Sequence, residues 1–106
     1  FSFVANAVQL NILAATAENS SKDQIYNMAL GERTSLNKLF EQIKGSLNRN
    51  SLIYKKNPIY QEFREGDVRH SQADIGKAKR YLGFNPTHLI CKGIAESMPW
   101  YLSKLK

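Results

Sequence analysis

The chain has 106 residues, of which 42% are hydrophobic and 23% charged, a composition that argues against disorder and suits one domain with a single modest core. Its one cysteine, Cys91, excludes an internal disulfide framework and a multi-cysteine metal site, fits a reducing compartment, and predicts a cytoplasmic protein. The net charge of +6 is compatible with nucleic acid, a membrane surface or a phosphate-bearing ligand, but no apolar run approaches the ~20 residues that span a bilayer.

In the first half of the chain we predict a helix, a strand and a second helix. Residues 3–17 have apolar side chains at helical spacing and few polar ones, which predicts a helix that packs on more than one side. Residues 24–30, which precede a glycine, have the composition of a short buried strand. Thr34 or Ser35 then caps a helix that runs to about residue 47. Its predicted core face comprises Leu36, Leu39, Phe40, Ile43 and Leu47.

The second half is predicted to contain one extended segment and two further helices. Residues 59–63 have the pattern of a small edge strand. Asp74 is placed to cap a helix over residues 75–82, and Gly83 is placed to end that helix in left-handed geometry. The last helix starts at Thr87, and the chain contains no internal repeat.

The chain lacks the motifs that would mark a complete catalytic centre. It has neither a Gly-x-Gly-x-x-Gly loop nor a Walker-type loop, so no part of it is predicted to hold a dinucleotide or nucleoside triphosphate. His70 and His88 lie far apart without metal-ligand spacing around them. Cys91 is predicted to be a buried structural thiol rather than a nucleophile, because no histidine is arranged to activate it. We therefore predict no catalytic, cofactor-binding or metal-binding residue in these residues.

The stretch "FREGDVRHS" is the best candidate for a binding site. Arg64 has a planar guanidinium that can contact two phosphate oxygens at once. Asp67 lies three residues further on, after the flexible Gly66, and its carboxylate can accept hydrogen bonds from two ribose hydroxyls. This pair matches a nucleoside diphosphate. The alternative is a salt bridge between the two side chains that pins the loop, and local chemistry alone favours it.

A small basic nucleic-acid-binding domain is the alternative from a different functional class. The basic residues are scattered, with doublets only at Lys55–Lys56 and Lys79–Arg80. A nucleic-acid surface usually concentrates basic residues in a stripe with aromatic residues between them. We therefore expect neither nucleic acid nor a membrane as partner.

Four stretches carry a resemblance to a known family: "FSFVANAVQLNILAA", "IYNMALGERTSLNKLF", "FREGDVRHSQADIGKAKRYLGFNP" and "GIAESMPWY". With them, the chain resembles the C-terminal portion of NAD-dependent epimerases and dehydratases of the extended short-chain dehydrogenase/reductase family. The likeness is greatest to bacterial UDP-N-acetylglucosamine 4-epimerases. The third stretch is the most specific, because it combines Arg-x-Gly-Asp with Ala-Asp-x-x-Lys-Ala and Leu-Gly-Phe-x-Pro.

The resemblance implies a fold and an activity for the longer protein. It implies an α/β class, with residues 1–106 as a helix-rich C-terminal nucleotide-sugar-binding portion, few short strands, and a Rossmann-type NAD-binding domain upstream. The family's Tyr-x-x-x-Lys pair, absent here, would also lie upstream. The implied reaction interconverts UDP-N-acetylglucosamine and UDP-N-acetylgalactosamine, or their uronic acid forms, through a 4-keto intermediate with NAD as hydride carrier.

The resemblance also implies the state of the protein and of this portion. The intact enzyme is expected to be a homodimer that binds a UDP-N-acetylhexosamine. The 106 residues alone are expected to be inactive, to bind UDP-sugars weakly at most, and to self-associate through surfaces that lose their neighbours.

Particular residues match the family's motifs. Arg64 matches the arginine that contacts the diphosphate, and Asp67 matches the carboxylate on the uridine ribose. Arg69 is either a further phosphate contact or the partner of a nearby acid. Ser71 falls where the family places a gate beside the sugar; a serine leaves room for an N-acetyl group, or it merely satisfies loop backbone groups. Asn6 stands where many relatives carry an acid, and its implied role is structural hydrogen bonding.

Related sugar-nucleotide enzymes remain as alternatives within the same class. A UDP-glucuronate epimerase, a decarboxylase or a dehydratase would share the arginine and the aspartate of the loop. They would differ around Ser71, so the sugar itself stays open.

Overall fold

The computed structural model describes residues 1–105, and its regular elements are all helical. The α-helices are α1 (Val4–Ala15), α2 (Leu36–Arg49), α3 (Gly76–Leu82) and α4 (Ile90–Ser103), with a short 3-10 helix at Asn19–Ser21. Within residues 1–105, no helix is both long enough and apolar enough to cross a lipid bilayer.

The chain divides into two compact units, each built from two stretches of sequence. The first, called here the α1–α3 unit, comprises Phe1–Glu32 and Gln72–Gly93. The second, called here the α2 unit, comprises Arg33–Ser71 and the chain from Ile94 onward. The four predicted site residues therefore all belong to the α2 unit.

The core of the α1–α3 unit forms where α3 packs on α1. Its buried members are Leu10, Ala78, Leu82 and Phe84, and the half-buried Leu13, Ala17 and Tyr26 pack against them. Gly83 ends α3 in the left-handed conformation, with a φ of 66°. This turn folds the chain back, so that the Phe84 N–H donates to the Ala78 carbonyl and its ring is 1% exposed. The glycine thus places the largest buried side chain of the unit.

Two polar residues of α1 hold the segment that leads into α4. Asn6 is fully buried; its Nδ2 donates to the His88 carbonyl at 2.8 Å, and its Oδ1 accepts from the N–H groups of Thr87 and His88 at 3.0 and 3.2 Å. One turn later, Gln9 Oε1 accepts from the Asn85 N–H at 3.1 Å. Both the oxygen and the nitrogen of the Asn6 amide therefore have a backbone hydrogen-bond partner. The predicted structural role of Asn6 is confirmed.

The opposite face of α1 is apolar and exposed. Val4, Val8 and Ile12 follow one another at intervals of four residues and are 66%, 50% and 59% exposed. The helix contains no charged residue. We expected it to pack on more than one side. Within the described chain it packs on α3 and on residues 85–88, and the apolar face stays open.

The two predicted strands do not form. Residues 24–30 and residues 59–63 have no strand or bridge assignment, and among residues 1–105 no segment pairs with them. A strand needs a hydrogen-bonded neighbour, and composition alone does not supply one. The α/β parent fold, which concerns a longer chain, stays a prediction.

The predicted cap at Ser35 is confirmed, whereas α3 begins one residue later than predicted and has Ile75, not Asp74, at its N-cap. Ser35 Oγ accepts from the Lys38 N–H at 3.2 Å and starts α2 one residue later. Asp74 Oδ1 accepts from the Gly76 N–H at 2.7 Å at the start of α3. The last helix begins at Ile90, three residues later than Thr87, and Pro99 lies inside it. The prediction that Cys91 is buried was wrong, because this residue of the last helix is exposed.

The predicted core face of α2 is only partly covered. Leu39, Phe40 and Leu47 are half-buried, whereas Leu36 is 73% exposed and Ile43 is 38% exposed. The Phe40 ring meets the Tyr54 ring edge to face at 6.4 Å. The helical periodicity was therefore predicted correctly, but the extent of its burial was not.

Candidate functional site

The predicted site lies on a long irregular segment between α2 and α3. Residues 53–71 are all exposed and have no helix or strand assignment. Exposed loops carry binding residues more often than the elements that they connect. The Tyr60 hydroxyl donates to Asn37 Oδ1 at 3.2 Å and ties this loop to the first turn of α2. No local sequence pattern predicts this contact, because the two residues lie 23 positions apart.

Arg64 and Asp67 are brought together by one tight turn. The Asp67 N–H donates to the Arg64 carbonyl at 3.1 Å, and Asp67 Oδ2 accepts from the Arg64 N–H at 3.3 Å. Gly66, at the third position of the turn, has a φ of 85°, a conformation that other residues adopt only with strain. The loop therefore closes locally, through backbone groups and one carboxylate oxygen.

The guanidinium of Arg64 takes no part in closing this turn. Within residues 1–105, no ion pair joins it to Asp67, so the predicted alternative of a pinning salt bridge is not formed. The Asp67 carboxylate accepts one hydrogen bond in this turn, through Oδ2. A carboxylate has about four lone-pair sites, so most of them stay available. Arg64 keeps its donors, and Asp67 keeps most of its acceptor capacity.

Arg69 is stacked on an aromatic ring. Its guanidinium carbon lies 4.2 Å from the centroid of the Phe63 ring. Among the described residues, no acidic side chain forms an ion pair with Arg69. The alternative role of Arg69, as the partner of a nearby acid, is therefore not seen. Sequence reasoning missed Phe63, because the ring and the cation meet only once the Arg64–Asp67 turn has folded.

Ser71 is exposed, and its hydroxyl makes no hydrogen bond within residues 1–105. The alternative role, in which the Ser71 hydroxyl hydrogen-bonds to backbone groups of the loop, is therefore not seen in this structure. A small side chain and free space around it are what a gate that admits a bulky substituent needs. The role of Ser71 beside the sugar stays a prediction.

A separate open pocket lies in the α1–α3 unit, with a volume of about 590 Å³. Its lining residues are Leu30, Gly31, Gln72, Ala73, Asp74, Ile75, Gly76 and Lys79. Gln72 Nε2 donates to the Gly31 carbonyl at 2.8 Å across it. None of the four predicted site residues lines this pocket.

We looked for features that could hold a dinucleotide in the sequence, and for groups that could hold a metal ion within residues 1–105. Its six glycines are single, so it has no glycine-rich loop for a dinucleotide pyrophosphate. In the described part of the chain, no group of three or more His, Cys, Asp or Glu side chains is placed to hold a metal. The predicted binding residues of the loop, Arg64, Asp67 and Arg69, are all exposed to solvent.

Comparison with known proteins supplies a relationship. No protein-family model matches the chain. A protein of Methanocaldococcus jannaschii, named "Putative UDP-glucose 4-epimerase", is 31% identical over 100 residues, which cover 94% of this chain. This similarity supports a relationship to the epimerase family.

The relationship concerns only part of the relative. The chain spans 30% of the length of that epimerase. The similarity therefore agrees with the resemblance that the motifs suggest at the level of sugar-nucleotide epimerases, and it does not single out a UDP-N-acetylglucosamine enzyme.

Proposed function

We propose that this chain is the C-terminal UDP-sugar-binding portion of an NAD-dependent UDP-N-acetylglucosamine 4-epimerase. The enzyme would interconvert UDP-N-acetylglucosamine and UDP-N-acetylgalactosamine, or the corresponding uronic acid forms. The observation that carries the proposal is the Arg64–Asp67 turn, which presents a guanidinium and a carboxylate from one loop without pairing them to each other.

Arg64 is proposed to bind the diphosphate. A guanidinium has five N–H donors in a fixed plane and can meet two phosphate oxygens with parallel hydrogen bonds. Because the turn is closed by the backbone of Arg64, binding of the side chain to an anion would not open it. The charge of the diphosphate would be met by Arg64 and, on the same loop, by Arg69.

Asp67 is proposed to bind the uridine ribose. An ionised carboxylate only accepts hydrogen bonds, and two vicinal hydroxyls offer two donors at the matching spacing. Its anchoring to the Arg64 N–H fixes the carboxylate relative to the turn before any ligand arrives. Ser71, four residues further on, is proposed to leave room for the N-acetyl group of the sugar.

The catalytic residues and NAD are proposed to lie outside these 106 residues. None of the five tyrosines has a lysine four positions later, and no loop of the chain suits a dinucleotide. The loop described above would hold the nucleotide end of the substrate, and it would leave the hexose free to turn. The intact enzyme is proposed to be a cytoplasmic homodimer.

The first test measures UDP and uridine binding by the 106-residue chain in NMR titrations. We expect Arg64→Gln to weaken UDP binding about tenfold, because a charge-assisted contact to phosphate is lost, and to leave uridine binding unchanged. We expect Asp67→Asn to weaken both ligands about tenfold, because both contain the ribose. Lys56→Gln, which removes a cation from the same loop, is the matched control and should change neither.

Three outcomes would contradict the proposal. One is the absence of UDP binding by the unmodified chain. Another is tight, steeply salt-dependent binding of duplex DNA, which would favour a nucleic-acid-binding domain. The third is turnover of UDP-N-acetylglucosamine by these 106 residues with added NAD, which would place the catalytic groups inside the chain.

The exposed stripe of α1 leads to a second prediction, about self-association. The stripe formed by Val4, Val8 and Ile12 is continuous and carries no charge, so the isolated chain is expected to self-associate as its concentration rises. Val8→Lys should reduce the mass measured by light scattering to that of a monomer and leave the circular dichroism spectrum unchanged. A monodisperse, cooperatively melting monomer without the substitution would contradict the prediction.

A further inference from the structure

The stack between Phe63 and Arg69 spans the Arg64–Asp67 turn. Phe63 lies immediately before the turn and Arg69 lies two residues after it, and the guanidinium carbon is 4.2 Å from the ring centroid. The ring is 63% exposed, so it serves no core of the α2 unit. An exposed aromatic residue that covers a cation in the proposed site calls for a reason other than folding.

Stacking restricts an arginine without using its hydrogen-bonding groups. The guanidinium lies over the Phe63 ring, and this cation–π contact uses none of the five N–H donors. A free exposed arginine loses side-chain entropy when it binds a ligand, at a cost of about 0.5–1.5 kcal/mol for a rotamer-rich side chain. A stacked arginine has lost part of that freedom already, so it binds an anion more tightly.

The two guanidinium groups at the turn favour an anion as the ligand. Within residues 1–105, no carboxylate pairs with the Arg69 guanidinium, and its contact is with a neutral ring. Arg64, on the same turn, is likewise without an acidic partner. Two unpaired guanidinium groups on one exposed loop suit a ligand with more than one negative oxygen.

We propose that Phe63 is a positioning residue that holds the Arg69 guanidinium edge-on to the diphosphate of the bound nucleotide. The inference rests on the proposed function, and it adds a residue to which no role has been assigned. Phe63 does not itself contact the phosphate. It acts through Arg69, so the two residues should behave as a unit.

The test is a double-substitution cycle on the 106-residue chain, with UDP and uridine as probes in NMR titrations. Arg69→Gln is expected to weaken UDP binding about tenfold, because a charge-assisted contact is lost. Phe63→Leu is expected to weaken it about threefold to fivefold, the effect of removing one exposed cation–π contact. The double variant should bind UDP no more weakly than Arg69→Gln alone.

Three further measurements make the role of Phe63 specific. Phe63→Tyr, which keeps the ring, should bind UDP as tightly as the unmodified chain does. Ile59→Ala, at another exposed apolar residue of the loop, should also leave UDP binding unchanged. Uridine binding should not change in Phe63→Leu. The Arg69 Nε–H proton should resonate upfield in the unmodified chain and move downfield in Phe63→Leu, because protons above an aromatic ring are shielded.

The outcomes separate this inference from the proposed function. If the unmodified chain does not bind UDP, both fail. If UDP binds and Arg64→Gln weakens it, but the effects of Phe63→Leu and Arg69→Gln add, the inference alone is overturned. An equal loss of uridine affinity in Phe63→Leu would also overturn it, because the ring would then contact the nucleoside directly.

Discussion

Replacing Phe84 with alanine is expected to abolish cooperative unfolding of the α1–α3 unit. Phe84 is 1% exposed and is the largest side chain among the buried residues of that core, which otherwise contains Leu10, Ala78 and Leu82. A phenylalanine-to-alanine change at a buried site costs about 3–5 kcal/mol, because apolar contacts are lost and a cavity remains. Small domains have a total stability of about 5–15 kcal/mol, with short chains near the lower end.

The measurement is urea denaturation followed by circular dichroism, with Phe63→Ala as the matched control. Phe63 is 63% exposed, so its removal should change the free energy of unfolding by less than about 0.5 kcal/mol. The free energies of unfolding of Phe84→Ala and Phe63→Ala would then differ by an amount close to the whole stability of the unit. Similar midpoints for the two variants would show that Phe84 is not in the core.

Removing the Asn6 side chain is expected to cost about 3 kcal/mol of stability, although no apolar contact is lost. Its amide makes three hydrogen bonds to the backbone of Thr87 and His88, and the residue is fully buried. In Asn6→Ala, two N–H groups and one carbonyl lose the hydrogen bond that they make with the Asn6 side chain. Each unsatisfied buried polar group costs about 1–3 kcal/mol, and partial access to water reduces the sum.

Asn6→Asp isolates the contribution of the Nδ2 donor. An aspartate keeps an oxygen for the N–H groups of Thr87 and His88, but it turns a second oxygen toward the His88 carbonyl, which Nδ2 approaches to 2.8 Å. Two acceptors then face each other, so we expect a stability below that of the unmodified chain.

Ser46→Ala is the matched control for Asn6→Ala. Ser46 is 1% exposed, like Asn6, but its Oγ has no hydrogen-bond partner in the structure. Removing an unsatisfied buried hydroxyl should leave stability unchanged or raise it slightly. Equal destabilisation by the two alanine substitutions, measured by urea denaturation, would contradict the contrast between a satisfied and an unsatisfied buried polar group.

The loop illustrates how far local sequence can predict a site. The spacing of Arg64, Gly66 and Asp67 predicts a turn that brings a guanidinium and a carboxylate together, because all the contacts involved span three residues. The choice between a salt bridge and two separate groups depends on where the side chains go, and sequence spacing does not decide this. The Phe63–Arg69 stack follows from the same turn.

Local sequence patterns were sufficient to predict the four helices, the caps at Ser35 and Gly83, and the turn of the candidate site. These features depend on hydrogen bonds and side-chain periodicity within a few residues. Which faces of the helices are covered follows only from the folded chain. Three features depend on partners distant in sequence, whose presence no local pattern specifies. They are the burial of Asn6 under residues 87–88, the exposure of the apolar stripe of α1, and the absence of strands over residues 24–30 and 59–63.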